Sequence, residues 1–427
     1  MTRCWFFGFT SSLALLSSAF ASNWPQLLGP ARNGVADEKD LATNWPASGP
    51  RVLWRKKIGD GFAAPVVADG KLVRFTRTGN TNIIEVILFT RTGDTETVEA
   101  VNANDGKTLW AFPYPTAYRD SFGFDPGPRA TPTVADGKIF TFGADSMLLC
   151  LNLTDGKKLW SVDCKKTYAA PKGFFGLACS PLVEGRAVIV NVGGRTGDGG
   201  ASVVAFDKDT GSVLWSAFDD EPSYSSPIAA TFGAQRTALV LTRNWFLGLD
   251  PANGHIRFRH EFRLPERNSV TGATPTVVGD RVFLSAAYDL GAMAFRVTGD
   301  KLEKLWAGDD QLTLQFTTAV HRDGFLYGLH GRHDFPGGTE LRCVEFATGK
   351  VRWGKPGLSG ANVILAGDSL LVLTENGELL RVAAGPEKFR ELARAQILGR
   401  GVRAYPALAD GRFYARDKAQ LVCVDLK

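Results

Sequence analysis

Asn104-Asp105-Gly106-Lys107-Thr108-Leu109-Trp110 has a second copy in Thr154-Asp155-Gly156-Lys157-Lys158-Leu159-Trp160. A third stands at Asp209-Thr210-Gly211-Ser212-Val213-Leu214-Trp215 and a fourth at Ala347-Thr348-Gly349-Lys350-Val351-Arg352-Trp353. Each is a polar turn centred on glycine, followed by a short strand-forming run that carries a tryptophan. Trp54 and Trp306 hold the same place behind altered turns, and Phe258, after Asn253-Gly254-His255-Ile256-Arg257, replaces tryptophan in one copy. The aromatic anchors recur about every 50 residues, a period that marks stacked repeats of one supersecondary unit.

A second element lies inside each interval. Ala64-Pro65-Val66-Val67-Ala68-Asp69-Gly70-Lys71-Leu72 is one instance and Thr131-Pro132-Thr133-Val134-Ala135-Asp136-Gly137-Lys138-Ile139 another. Thr274-Pro275-Thr276-Val277-Val278-Gly279-Asp280-Arg281-Val282 and Tyr405-Pro406-Ala407-Leu408-Ala409-Asp410-Gly411-Arg412-Phe413 repeat it. A β-branched run, an Asp-Gly type turn and a second apolar run read as a hairpin. The run ending in the tryptophan turn gives a second hairpin, so each repeat makes four antiparallel strands. Such a sheet cannot bury both faces alone; arranged radially, each covers its neighbour. Trp54, Trp110, Trp160, Trp215, Phe258, Trp306 and Trp353 are expected to fill the spaces between sheets.

Eight units are counted. The seventh, around residues 361–392, lacks the tryptophan, and the eighth begins near Arg403 and ends at Lys427 after three strands. Arg51-Val52-Leu53-Trp54-Arg55-Lys56-Lys57-Ile58 supplies the missing strand. Joining the two ends closes the ring and removes the exposed sheet edges. The expected fold is all-β: an eight-bladed β-propeller of four-stranded antiparallel blades over residues 51–427, the ring closed by an N-terminal strand.

The beginning of the chain reads as an address. Met1-Thr2-Arg3 is positive, Cys4 to Ser18 is mostly apolar and small, and Ala19-Phe20-Ala21 offers a cleavage site. Residues 1–21 are expected to be a signal peptide, and 22–50 an irregular arm lying against the propeller. The apolar stretch is short for a bilayer, and Ser22 stands where a lipid anchor needs cysteine, so a periplasmic or secreted monomer without a membrane anchor is expected. The formal net charge of +5 is scattered, with no run of five Lys/Arg, so no nucleic-acid partner is expected. Cys150, Cys343 and Cys423 occupy one position in three repeats (LLCLN, LRCVE, LVCVD) and read as small buried hydrophobes. Cys164 and Cys179 could pair across a loop, and both states stay open.

Val204-Ala205-Phe206-Asp207-Lys208-Asp209-Thr210-Gly211-Ser212-Val213-Leu214-Trp215 resembles the pyrroloquinoline-quinone-type (quinoprotein-like) propeller repeat, and the resemblance covers about residues 51–427. Asn23-Trp24-Pro25-Gln26-Leu27-Leu28-Gly29-Pro30-Ala31-Arg32-Asn33-Gly34 is similar to the start of exported relatives of that repeat. The resemblance implies two kinds of function. One branch, the quinone-dependent alcohol and sugar dehydrogenases, holds pyrroloquinoline quinone and calcium in the central funnel, with an Asp as base and a disulfide between adjacent cysteines. The other, like the propeller of the outer-membrane β-barrel assembly machinery, binds protein segments without catalysis. This chain has no adjacent cysteines and no Cys-x-x-Cys-His haem motif, and no position matches the calcium ligands. The first expectation is therefore a non-enzymatic scaffold that takes a protein or glycan partner at a loop face or in the funnel, with no cofactor. A quinone- and calcium-dependent oxidoreductase is the alternative, and a carbohydrate-binding propeller is a weaker one.

The segments leading into the innermost strands should converge on the central channel. They carry Arg129, Tyr224, Phe124 and Phe316, the candidate ligand-binding residues, with Phe122, Phe174, Phe175 and Arg267 nearby. Aromatic rings and arginines suit a peptide, a glycan or a small planar ligand. His321, His330 and His333 fall close in sequence, and His330, His333 and Asp334 are the candidate ligands of a transition metal; the competing reading is a polar loop of the sixth blade. Asp207-Lys208-Asp209-Thr210-Gly211 lacks the later acidic ligand of a calcium loop, Phe218 standing there. Gly193 to Gly200 is not followed by Gly-Lys-Ser/Thr, so it is no phosphate loop. Both read as hairpin connections.

Overall fold

The repeating hairpins form and stack as the spacing requires. The computed structural model describes residues 23–38, 40–70, 83–197, 199–263, 270–332 and 338–427; the leader expected over 1–21 lies outside them. Eight sheets are present, seven of four strands and one of five, and neighbouring strands within each blade are antiparallel. Blades 1 to 7 span 66–115, 133–163, 182–217, 228–261, 276–308, 320–356 and 361–396. Blade 8 takes three strands from 407–425 and its outermost strand, Arg51–Lys57, from the other end of the chain, paired antiparallel with Gln420–Asp425. Among the described residues the one helix is Cys164–Tyr168.

The tryptophans explain why the blades stay together. Each indole is buried or half-buried against the next blade, and its N–H donates to a backbone carbonyl there. The pairs are Trp54 to Ala103 (2.8 Å), Trp110 to Leu153 (3.0 Å), Trp160 to Lys208 (3.1 Å), Trp215 to Pro251 (3.0 Å), Trp306 to Phe346 (2.8 Å) and Trp353 to Gly385 (2.8 Å). In five of them the ring lies flat on a turn glycine of that blade. Gly156 has φ +68°, and a Cβ there would sit 2.3 Å from the Trp110 ring. Only glycine satisfies both the left-handed backbone and the close approach. Gly156→Ala is expected to lower stability by about 1–2 kcal/mol through the backbone alone, and by more through the clash. An unchanged urea midpoint would mean that Trp110 does not need this seat.

The two departures from the repeat have one cause. Phe258 precedes blade 5, whose outer hairpin closes tightly through Gly299, with Thr298 paired to Lys301. The wider Thr-Gly turn is missing there, and phenylalanine has no N–H to place. In blade 7 the tryptophan position is Ala393, across from Arg381. The corresponding turn of blade 8 is the junction between Asp425 and Arg51, where the chain ends meet. The aromatic anchor is lost or changed where its platform is lost.

The strand cysteines follow from the same packing. Cys150, Cys343 and Cys423 stand directly across from Trp160, Trp353 and Trp54, where a small side chain leaves room for the ring. Burial pushes their thiols up to about 12, 11 and 12, so they stay protonated and unreactive. Cys164 and Cys179 are also buried free thiols, and no disulfide joins them.

The arm lies against the propeller from within, on the inner strands along the axial channel. Trp24 exchanges two backbone hydrogen bonds with Val67 of blade 1 (both 2.9 Å), and Val134 N of blade 2 donates to Pro25 O (2.8 Å). Val35–Ala36 then adds a parallel fifth strand to the innermost strand of blade 7, Ala361–Ala366. Between these points Arg32 is fully enclosed. Its guanidinium donates to Pro227 O (2.7 Å), to Pro181 O and to Thr133 Oγ1 (3.0 Å), and its Nε donates to Gln26 Oε1 (2.7 Å). One side chain thus ties blades 2, 3 and 4 to the arm. Burial drags its pKa down to about 10, which leaves it charged at neutral pH. Beyond the channel Ala42 N donates to Leu426 O (2.7 Å), and the chain passes outward to become the closing strand.

Candidate functional site

The residues that lead into the inner strands build a belt around the axis. Thr131, Ser180, Ser226, Thr274 and Tyr405 each precede a proline, which holds the residue before it in extended backbone. Their hydroxyls therefore face the neighbouring blade in a common way. Ala64 N donates to Thr131 Oγ1 (3.1 Å), Thr131 N to Ser180 Oγ (2.9 Å) and Ser180 N to Ser226 Oγ (2.9 Å). On the far side Thr274 N donates to Thr318 Oγ1 (3.0 Å) and Thr318 N to the Tyr405 hydroxyl. The belt fixes the blades at a constant radius and leaves a cavity of about 260 Å³ above it.

Leu27 of the arm lines this cavity, together with Phe62, Phe124, Phe175, Tyr224, Phe316, Arg129 and Arg403. The structure thus brings Arg129, Tyr224, Phe124 and Phe316 together around one space, although they come from three different inter-blade segments. Arg129 is held among rings, its guanidinium carbon 5.4 Å from the centre of Phe175, 5.8 Å from Phe62 and 6.0 Å from Tyr118. Asp120 lies 3.6 Å away as its counter-ion. Arg403 sits over Phe62 and Phe124 (5.5 and 5.9 Å) and donates to Glu375 (3.0 Å). Burial raises the Tyr224 phenol above its usual range. It is neutral, and its oxygen accepts from Phe174 N (3.0 Å) and Phe175 N (3.1 Å).

The loop from blade 1 to blade 2 holds two rings out in solvent. Asp120 has its side chain buried and accepts from the backbone N–H groups of Phe122 (3.0 Å), Phe124 (2.8 Å) and Asp125 (2.8 Å). Phe122 and Phe124 remain 54% and 48% exposed at the mouth of the cavity. Phe122 touches Phe174 and Phe175, with centroids 6.0 and 5.4 Å apart, and Phe124 meets Phe175 edge-on at 5.8 Å.

Of the histidines close in sequence, His321 and His330 are not brought together. His321 lies at one end of the inner hairpin of blade 6, its Nε2 accepting from Gly324 N (3.0 Å). His330 lies at the other end, beside Glu340, its Nδ1 accepting from Thr313 N (3.1 Å). Sequence proximity misled because a strand of six or seven residues separates hairpin ends by its whole length. His333, Asp334 and Arg267 lie outside the described residues. Among the described residues no three His, Cys, Asp or Glu side chains are grouped for a metal ion.

Pyrroloquinoline quinone with calcium makes two separate demands. Aromatic rings and the two arginines suit a flat polyacid. Calcium takes six to eight oxygens, with carboxylates prominent among them, and none of the described side chains lining the cavity is a carboxylate. The described lining does not fit the calcium-bound cofactor. Sequence reasoning missed Leu27, Arg403 and the hydroxyl belt. A hydroxyl before proline in successive repeats was the available signal for the belt; Leu27 carried none.

The chain matches the family described as outer membrane protein assembly factor BamB over residues 94–355. It is 26% identical over 212 residues to the quinoprotein alcohol dehydrogenase PedH of Pseudomonas putida, a match that covers 49% of this chain and 32% of that protein. Among solved structures it resembles BamB of Moraxella catarrhalis, with a TM-score of 0.57 and 14% identity over 79% of this chain and 96% of that one. It also resembles a europium-containing methanol dehydrogenase, with a TM-score of 0.65 and 13% identity over 94% of this chain and 89% of that one. These two likenesses concern the fold. No helix among the described residues is long and apolar enough to cross a membrane.

Proposed function

Because the chain belongs to the family of outer membrane protein assembly factor BamB, we propose that it is a non-enzymatic scaffold of an exported compartment that receives a segment of a partner protein in its funnel. The observation that carries this reading is the mostly apolar cavity, open at its mouth, with Leu27 as part of its lining. At about 260 Å³ it falls just below the range of roughly 300–1,000 Å³ typical of small-molecule pockets. That space suits one or two bulky side chains of a docked segment. The neutral Tyr224 and the counter-ion-matched Arg129 and Arg403 offer polar groups without a reactive one.

A second reading, a quinone-dependent oxidoreductase, is favoured by the 26% identity to PedH and opposed by the lack of calcium ligands in the described lining. Photo-crosslinking from position 124 in the producing cell, combined with calorimetry of the purified chain against pyrroloquinoline quinone and calcium, separates the two. The scaffold reading expects a discrete crosslinked protein, reduced at least about tenfold by Arg129→Ala with Tyr224→Ala, the two being central, desolvated groups. Saturable quinone binding with dye-linked alcohol oxidation would replace it with the dehydrogenase.

A further inference from the structure

We propose that the funnel mouth selects an acidic protein segment bearing an aromatic anchor, read by Phe122 and Phe124 together with Lys172 and Lys418. This rests on the scaffold reading and adds the chemistry of the partner. Exposed aromatic rings in pairs are uncommon on a surface that has no partner. Here they are not loosely displayed: three N–H bonds to the buried Asp120 carboxylate fix the loop that carries them. Such a loop loses little freedom on docking, which is where pre-organised surfaces gain affinity.

The charge of the mouth sets the sign of what docks. Arg129 and Arg403 are matched by Asp120 and Glu375, so they add little net field. Lys172 and Lys418 have no carboxylate partner among the described residues. Lys172 stands 5.6 Å over the Tyr118 ring and donates to Ser121 Oγ (2.8 Å); Lys418 stands 5.9 Å over Phe62 and donates to Phe124 O (3.1 Å). Both are exposed, and they approach the aromatic floor from two different loops. An incoming carboxylate meets two uncompensated ammonium groups, while a ring beside it meets Phe122 and Phe124.

The test is fluorescence polarisation of the mature chain with a labelled peptide repeating Glu-Ser-Phe-Ser. Peptides repeating Lys-Ser-Phe-Ser and Glu-Ser-Ala-Ser serve as comparisons. Phe122→Ala with Phe124→Ala is expected to weaken binding by about thirtyfold or more. Lys172→Met with Lys418→Met is expected to weaken it about tenfold and to flatten its salt dependence. Ala178→Trp fills the cavity and leaves the rim intact. Loss in the rim variants with retention in Ala178→Trp would uphold the rim and overturn the funnel as receptor. Loss in Ala178→Trp alone would overturn the rim and uphold the funnel. Equal binding of the lysine peptide, or no binding of any peptide, would overturn the proposal.

Discussion

Trp160→Ala is expected to cost about 3–5 kcal/mol, the usual range for deleting a large buried aromatic. The ring is 8% exposed, stacks on Gly211, and donates its N–H to Lys208 O at 3.1 Å. Removing it opens a void between blades 2 and 3 and leaves the Lys208 carbonyl with only the weak, 3.9 Å contact from the Cys150 thiol. Trp160→Phe separates these contributions. It keeps much of the packing and loses only the N–H bond, so a cost near 1 kcal/mol is expected. Phe258 shows that blade 4 accepts phenylalanine in this place, beside the tighter outer turn of blade 5. Chemical denaturation followed by intrinsic fluorescence reads both variants. Equal costs would mean that the hydrogen bond, not the ring, holds the blades.

Arg32→Met is expected to cost about 2–5 kcal/mol and to loosen the arm specifically. Three bonds from the guanidinium to Pro181 O, Pro227 O and Thr133 Oγ1 are worth about 1.5–3 kcal/mol each, as charge-assisted bonds. Against this stands the cost of enclosing the cation. The fall from 12.5 to about 10 corresponds to about 3 kcal/mol that methionine does not incur. The hydrogen bonds win. Hydrogen exchange should accelerate at Val67, Val134 and Leu365, whose N–H groups bond to the arm or to residues beside it, and not at the outer strands. Uniform acceleration across all blades would instead mean that Arg32 supports the ring as a whole.

The periodic parts of this molecule were legible because a repeat states each rule several times. The turn-tryptophan spacing carried the blade count, the three-stranded eighth unit and the strand that completes it. Arg129, Tyr224, Phe124 and Phe316 were reachable because ring geometry directs every inter-blade lead-in to one axis. What stayed hidden is what occurs once. Nothing near Arg32 in sequence announces acceptors 149 and 195 residues away, and Leu27 sits in a stretch whose motif suggested only an irregular arm lying against the propeller. His321 and His330 show the opposite case: two residues close in the chain are set apart by one extended hairpin.

The path of the arm bears on how the molecule is made. Trp24 to Ala36 lies against inner strands of blades that are synthesised later, and Arg51–Lys57 waits for Gln420–Asp425, the last of the three strands that 407–425 gives to blade 8. The ring therefore assembles around a segment made before it and cannot lock before blade 8 is made. Pairing across more than 360 residues is slow to find, and until it forms, both outer edges of the ring are open templates for stray strands. A holding factor during synthesis, or a permuted chain whose ends fall between two whole blades, would relieve that wait.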